Sequence, residues 1–362
     1  MRELILHIGT QKTGTTSIQK CFKINREILA SNYIFSPQTL DIGNGHHRWI
    51  TCISNDEEYV DSFIANQQFK TQEERKQKID QKYKEFIEEV QQHDKGKWVI
   101  SCEHAQSELK TTREIQKLKD ILENLFNKIS IILYIRKPIS STISMWSQDI
   151  KYGRKYSEIP RPGQPFYENI VNHKKTLERW LSVFSKDQII VKRFQSVDFK
   201  NSDLIKDFFF AAGIEFKNDY LMPEKENQSL SFLGIKSLGY INEYVPFFVK
   251  NDDLIHWVAR NKERSILMTY IEKFTLMGGK YLPTEEVYME YEKFYRESDE
   301  WVRKEFFPDN ATLWCKSDKK EFQDKIDPKI SASEQMLLNI IIRLWKERME
   351  LISKNSSSKN LI

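Results

Sequence analysis

The sequence predicts an α/β fold: a central parallel sheet covered by helices on both faces, in three layers, with a helical elaboration toward the C-terminus. Three observations predict it. Short apolar runs alternate with stretches of helical period through roughly the first 230 residues. The runs close on polar or turn-forming residues, as at Gly9, at Glu103-His104 and at Arg136 before Pro138. Beyond about residue 230 the strand signal fades and longer, aromatic-rich helical patterns take over.

Taken in order, Leu4 to Ile8 is a buried strand entering a Gly/Thr turn, and Ile18, Phe22 and Leu29 then recur near helical spacing. Residues 71–93 form a charged amphipathic helix with Ile79, Tyr83, Phe86 and Val90 on one face. "KWVISCEH" (97–104), "ISIILYIRKP" (129–138) and "DQIIVKRF" (187–194) supply three more strands, the last two leading into helices. Helical stretches are expected at roughly 230–278, 286–306 and 333–352. The polar run "SKNSSSKN" marks a disordered tail over 353–362. The organisation expected is one domain over 1–352, with an α/β core to about 230 and the elaboration from there to 352.

Charge and composition narrow the function. With 56 basic and 52 acidic residues the net charge is only +4, too balanced for general nucleic-acid binding, although a local basic pocket for an anion fits. Four scattered cysteines show no C-x-x-C spacing, so neither a zinc site nor a disulfide framework is expected. The short N-terminal strand is no secretory signal, and no run approaches the roughly 18 apolar residues of a membrane span. A cytoplasmic location is the expectation.

The most informative stretch is "GTQKTGTTSIQ" (9–19). A strand, a glycine-rich turn and a helix start aim backbone N–H groups and the positive helix end at one point, which suits an anion. Gly9 and Gly14 have the spacing of a nucleotide-binding P-loop, but Thr15 follows Gly14 and the lysine stands two places earlier, at Lys12. A lysine after the glycine would serve a magnesium triphosphate. That register is broken here, while Gln11, Lys12, Thr13, Gly14, Thr15, Thr16 and Ser17 can still cradle a phosphate.

The loop resembles, almost position for position, the 5′-phosphosulfate loop of sulfotransferases that use 3′-phosphoadenosine 5′-phosphosulfate (PAPS). That family carries a second motif for the 3′-phosphate, an arginine ending a later strand and a serine eight residues on; Arg136 and Ser144 in "LYIRKPISSTISMW" match it. The resemblance implies a P-loop NTPase-like sulfotransferase fold, PAPS as the sulfuryl donor and no metal requirement. It spans the core, roughly 1–230. "KENQSLSFL" (225–233) is similar to a late Asn-x-Ser-Leu segment of bacterial members, which adds Asn227 and Ser229 as cofactor contacts, although helix capping accounts for them equally. Phe194 ends its strand at the same edge, where an adenine could lie, though a packing role fits it better.

Sulfuryl transfer to a hydroxyl needs a base for the acceptor proton, and family members use histidine or glutamate. "VISCEHAQ" (99–106) offers both. In an extended chain neighbours point to opposite sides, so only one should face the reacting group. Glu103 is favoured, because Ser-x-Glu after this strand is similar to the glycan-modifying and bacterial members; His104 is second. Lys12 gains a second role, stabilising charge on the departing phosphate. His46 and His47 in "GNGHHRW" (43–49) could line the acceptor site; as a metal pair they lack an evident third ligand. By analogy the acceptor is a carbohydrate: a polysaccharide, oligosaccharide or lipid-linked glycan. The competing readings are a P-loop kinase or NTPase, and a non-catalytic nucleotide- or glycan-binding protein.

Overall fold

The structure, a computed structural model, describes residues 1–55, 60–155, 158–224, 230–245, 248–250, 258–260, 281–315, 322 and 331–359. Its centre is a five-stranded parallel sheet of β1 (Arg2–His7), β2 (Ile34–Phe35), β3 (Gly96–Ser101), β4 (Lys128–Ile135) and β5 (Ile189–Arg193), in the order β2-β3-β1-β4-β5. The four sequence-predicted strands are present and parallel. β2 is an addition, a two-residue edge pairing with β3 that is too short to leave a periodic signal.

The order explains where a ligand would sit. β1 lies between β3 and β4, so the connections from β1 and from β3 run to opposite sides of it. A crevice at the carboxyl ends of these strands is the expected binding place. The loops after β1, β3 and β4 all emerge at that edge.

The helices follow the predicted periodicity, and their caps set their ends. α1 (Thr15–Ile24) starts on Gly14, which has φ 74°, and breaks at Asn25, whose side-chain amide donates back to the Cys21 carbonyl. α2 (Gln72–Gln91) is capped by Thr71 and buries Phe86 and Val90, with Ile79 and Tyr83 half-buried on the same side. α3 (Thr112–Glu123) has a full capping box between Thr111 and Glu114. α4 (Pro138–Lys151) begins on a proline suited to a first helical turn. α5 (Leu204–Ala211) is capped by Asp203 and packs Phe208 and Phe209 against Phe22 of α1. These residues join Ile5, Val99, Ile132 and Tyr134 in one core cluster on that face of the sheet.

The chain divides into two compact units. The first comprises Met1–Thr142, Arg161–Asn227 and Met289–Asp318 and holds the whole sheet. The second comprises Ile143–Pro160, Gln228–Tyr288 and Lys319–Ile362. In it, α6 (Phe232–Ile241) packs Tyr240 and Ile241 with Val245 against Leu338 and Ile342 of the long helix Ala332–Lys359. Asn242 donates to the carbonyls of Ile150 and Arg154 in the same unit.

Two expectations need adjusting here. The stretch 230–278 is not helical throughout: the helix stops at Ile241, and Phe248–Lys250 pairs antiparallel with Val258–Arg260. The sequence "VPFFV" (245–249) accounts for the break, because a proline disfavours helix in the residue before it and the residues after it are aromatic or β-branched. The last helix reaches Lys359, taking in most of the stretch whose composition marks a tail.

Candidate active site

All the groups described next belong to the first unit. The loop after β1 is fixed mainly by β4. Thr10 donates its backbone N–H to the Tyr134 carbonyl at 2.8 Å, and Tyr134 N–H donates to the Gly9 carbonyl at 2.6 Å. Thr13 Oγ1 donates to the Thr10 carbonyl at 2.6 Å and is fully buried, so its hydroxyl proton staples the loop. Gln11 donates its amide to Ser107 Oγ at 3.0 Å. Lys12 takes a left-handed conformation with φ 67°.

Gly14 closes the loop in a left-handed turn that favours glycine, and a Cβ there would come within 3.2 Å of the Phe194 ring and 2.3 Å of Leu204 Cδ2. No side chain caps α1. Ser17 N–H donates to the Gly14 carbonyl at 3.0 Å, and the N–H groups ahead of it lie before the helical hydrogen-bond ladder begins, which is the backbone requirement for an anion site. Thr16 and Ser17 are half-buried on that first turn, while Thr15 is buried.

Arg136 meets this loop from β4. Its NH1 donates to the Lys12 carbonyl at 3.0 Å, and its guanidinium carbon stands 5.5 Å from the centre of the Phe194 ring. Among the described residues no carboxylate pairs with it. Partial burial pulls its pKa down to about 10, so it keeps its charge at neutral pH. The neighbouring cations differ: Lys192 pairs with Asp207 at 3.0 Å and Arg193 with Asp198 at 2.8 Å. His173 Nε2 holds the Arg136 carbonyl at 2.8 Å.

The end of β3 forms the other side of the loop. Gly9 has φ 99°, and a Cβ on it would lie 2.9 Å from Glu103 Cβ, so the two backbones touch. The Glu103 carboxylate accepts from Gln19 Nε2 of α1 at 2.8 Å, and His46 Nε2 lies 3.6 Å from the same oxygen. Burial alone would raise the Glu103 pKa; His46, His104 and hydrogen bonds from the backbone and Gln19 outweigh it and hold the carboxyl below its usual range. Burial lowers His46, and burial with the Arg48 charge lowers His104 to about 3, so both rings are neutral at pH 7.

One expectation fails here. Glu103 and His104 do not diverge as strand neighbours would, because Glu103 is already helical (φ −63°, ψ −21°) and His104 opens the helix His104–Glu108. Both therefore come beside His46, whose ring stacks on His104 at 5.2 Å. His47 has a different place. Its Nδ1 accepts from Ser101 N–H at 2.8 Å and its Nε2 meets Ser36 Oγ at 3.1 Å, which fixes a buried, neutral ring in the core.

Among the predicted site residues, the loop, Arg136, Glu103 and His104 thus converge on one edge of the sheet. Ser144 lies further along α4, in the segment belonging to the second unit. Asn227 and Ser229 fall outside the described residues. Sequence reasoning missed Gln19 and the part played by His46. Gln19 had a weak signal: a polar residue four places after Thr15, on the same side of α1. No helix among the described residues is long and apolar enough to cross a membrane.

Three solved structures to which the chain is similar are sulfotransferases. One is from Alicyclobacillus acidocaldarius, at 14% identity over 62% of this chain and 85% of that one, with a TM-score of 0.38. The second is a sulfotransferase domain of the curacin biosynthetic pathway, at 12% identity over 82% and 97% of the two chains, TM-score 0.37. The third is a sulfotransferase domain of the Synechococcus PCC 7002 olefin synthase, at 12% identity over 76% and 94%, TM-score 0.34. Likeness this distant transfers no chemistry. No protein-family model and no curated protein matches the chain.

Proposed function

We propose that the protein is a PAPS-dependent sulfotransferase with a P-loop-like nucleotide site. One observation carries the reading: Arg136, a cation that no described carboxylate neutralises, is hydrogen-bonded to the backbone of Lys12, so the two motifs of the resemblance share one corner. A partly buried guanidinium without a counter-ion calls for an external anion, and its planar fork suits a phosphate. The uncapped start of α1 beside it supplies a second anion position. A donor with phosphate groups at both ends of its ribose needs two such positions.

On this reading, residues 11–17 hold the 5′-phosphosulfate and Arg136 the 3′-phosphate, with Ser144, Asn227 and Ser229 added by the resemblance alone. PAPS supplies a sulfuryl group on a good phosphate leaving group. Lys12 offsets the negative charge that grows on that phosphate. Glu103, ionised at neutral pH and oriented by Gln19, takes the proton of the acceptor hydroxyl. The acceptor class is a carbohydrate, by the resemblance of the Ser-x-Glu segment to glycan-modifying members. Domain organisation stays with the sequence reading, a single sulfotransferase domain over 1–352, and its setting is the bacterial cytoplasm.

Calorimetric titration with 3′,5′-adenosine bisphosphate, in parallel with ATP plus magnesium, tests the reading. Magnesium-independent binding of the bisphosphate that is lost in Arg136→Ala supports it. Preference for magnesium ATP would instead favour a kinase, and no nucleotide binding at all would sink both.

A further inference from the structure

His46 stands beside two further metal-ligating side chains that the sequence hides, while its neighbour His47 is committed to the core. Cys102, His104 and His46 come from two separate stretches, yet their donor atoms all lie within 4.8 Å of one another. His46 Nε2 and His104 Nδ1 are buried and find no hydrogen-bond partner among the described residues. Two neutral imidazoles with bare ring nitrogens beside a buried thiol are poorly explained as packing, because an unsatisfied buried polar atom typically costs about 1–3 kcal/mol. They are, however, in the form in which histidine binds a metal.

We propose that His46, Cys102 and His104 form a binding site for a divalent transition metal, Zn(II) being the best match. One sulfur and two imidazole nitrogens select zinc, or cobalt in its place, over magnesium or calcium, which take oxygen ligands. Tetrahedral zinc, with bonds of about 2.0–2.1 Å to nitrogen and about 2.3 Å to sulfur, needs donor atoms roughly 3.5 Å apart. Closing the cluster therefore takes shifts of about 1 Å, within reach of side-chain rotation. Charge balance also favours it. Glu103, its oxygen 3.6 Å from His46 Nε2, stands beside the cluster, and with the Cys102 thiolate it cancels the charge of a divalent ion.

Binding displaces the Cys102 thiol proton. Because a thiol must lose its proton to bind the ion, affinity rises with pH. The site stands independently of the sulfuryl-transfer reading. If both hold, His104 is committed as a ligand and Glu103 alone remains free to act as the base.

The test is to titrate the full chain with Co(II) and then Zn(II), following the optical spectrum, and to measure zinc content of the purified protein by atomic emission. One ion per chain is expected, with intense visible bands of tetrahedral Co(II) and a thiolate charge-transfer band in the near ultraviolet. Cys102→Ser removes the charge-transfer band. His46→Gln, its folding checked by thermal unfolding, weakens binding by more than the about 10–100-fold that outer-shell partners cost. Absence of stoichiometric uptake, a Co(II) spectrum with no thiolate band, or binding indifferent to His46→Gln would overturn the site. Bisphosphate titration of the same sample reports on the nucleotide reading separately.

Discussion

The two flanks of the β1 loop are built from opposite charges in opposite states of satisfaction. On the β4 side Arg136 carries a positive charge and, among the described residues, meets a backbone carbonyl and the Phe194 ring but no carboxylate. On the β3 side Glu103 carries a negative charge, with a hydrogen bond from Gln19 and two neutral imidazoles beside it. The contrast teaches a division of labour. On the proposed function, a cation with no counter-ion among the described residues receives the donor's phosphate, whereas a carboxylate kept ionised and oriented handles the proton. The loop between them, with Lys12 at its turn, touches both.

The comparison can be broken most strongly at Glu103. Glu103→Gln keeps the shape and the contact with Gln19 but removes the base, so turnover from labelled PAPS to a glycan acceptor should fall about 10²–10⁴-fold. Bisphosphate affinity should stay unchanged, because the group lies on the other flank. A loss of affinity equal to the loss of turnover would erase the proposed division. The pH profile adds a sign. A base held below the usual carboxylate range stays ionised through neutral and mildly acid pH, so the acid limb of kcat/KM should lie below that range. His104, lowered to about 3, would titrate at similarly low pH, so the substitution and not the profile separates the two.

Lys12→Ala comes next. Its ammonium is asked to act on charge that appears only during transfer, so turnover should drop about 10²–10³-fold with a smaller change in bisphosphate affinity. Arg136→Ala should do the reverse. Losing a charge-assisted contact of about 1.5–3 kcal/mol weakens bisphosphate binding roughly 10–100-fold by calorimetry. Arg136→Lys should recover only part of that, because an ammonium cannot reproduce the paired fork.

The legibility of these two flanks in the sequence differed for a physical reason. The strands, the glycine turn and the arginine were readable because period, turn chemistry and spacing are local properties of consecutive residues. Arg136 directly follows β4 and Lys12 lies in the loop after β1, and β1 and β4 pair directly, so a correct strand assignment already placed both at one edge. The β3 flank depends on contacts that no local pattern carries. His46 reaches Glu103 from a loop 57 positions away in sequence, Gln19 reaches it from α1, and Cys102 completes a cluster whose members look unrelated in the chain. The alternation rule also misled there, because it assumes an extended chain and the strand ends at Ser101.

The broadest effect falls on stability, not turnover, and concerns the buried imidazoles near both flanks. Burial lowers His7 and His173 to about 4 and His47 to about 3, against an ordinary 6.5. In the window between those folded values and 6.5 the unfolded chain binds protons that the folded chain refuses, so stability falls as pH drops below 6.5 and is fully present above it. Each such histidine contributes about 1.4 kcal/mol per pH unit in that window as an upper bound. The midpoint of thermal unfolding should therefore fall between pH 7 and pH 5, well before ordinary carboxylates are protonated. His173→Gln, which removes the ring that holds the Arg136 carbonyl, should flatten that fall while lowering the midpoint at pH 7. A midpoint that is level down to pH 5 would mean that His7, His47 and His173 take up protons in the fold as readily as in the unfolded chain, and burial could then no longer be said to hold these rings neutral.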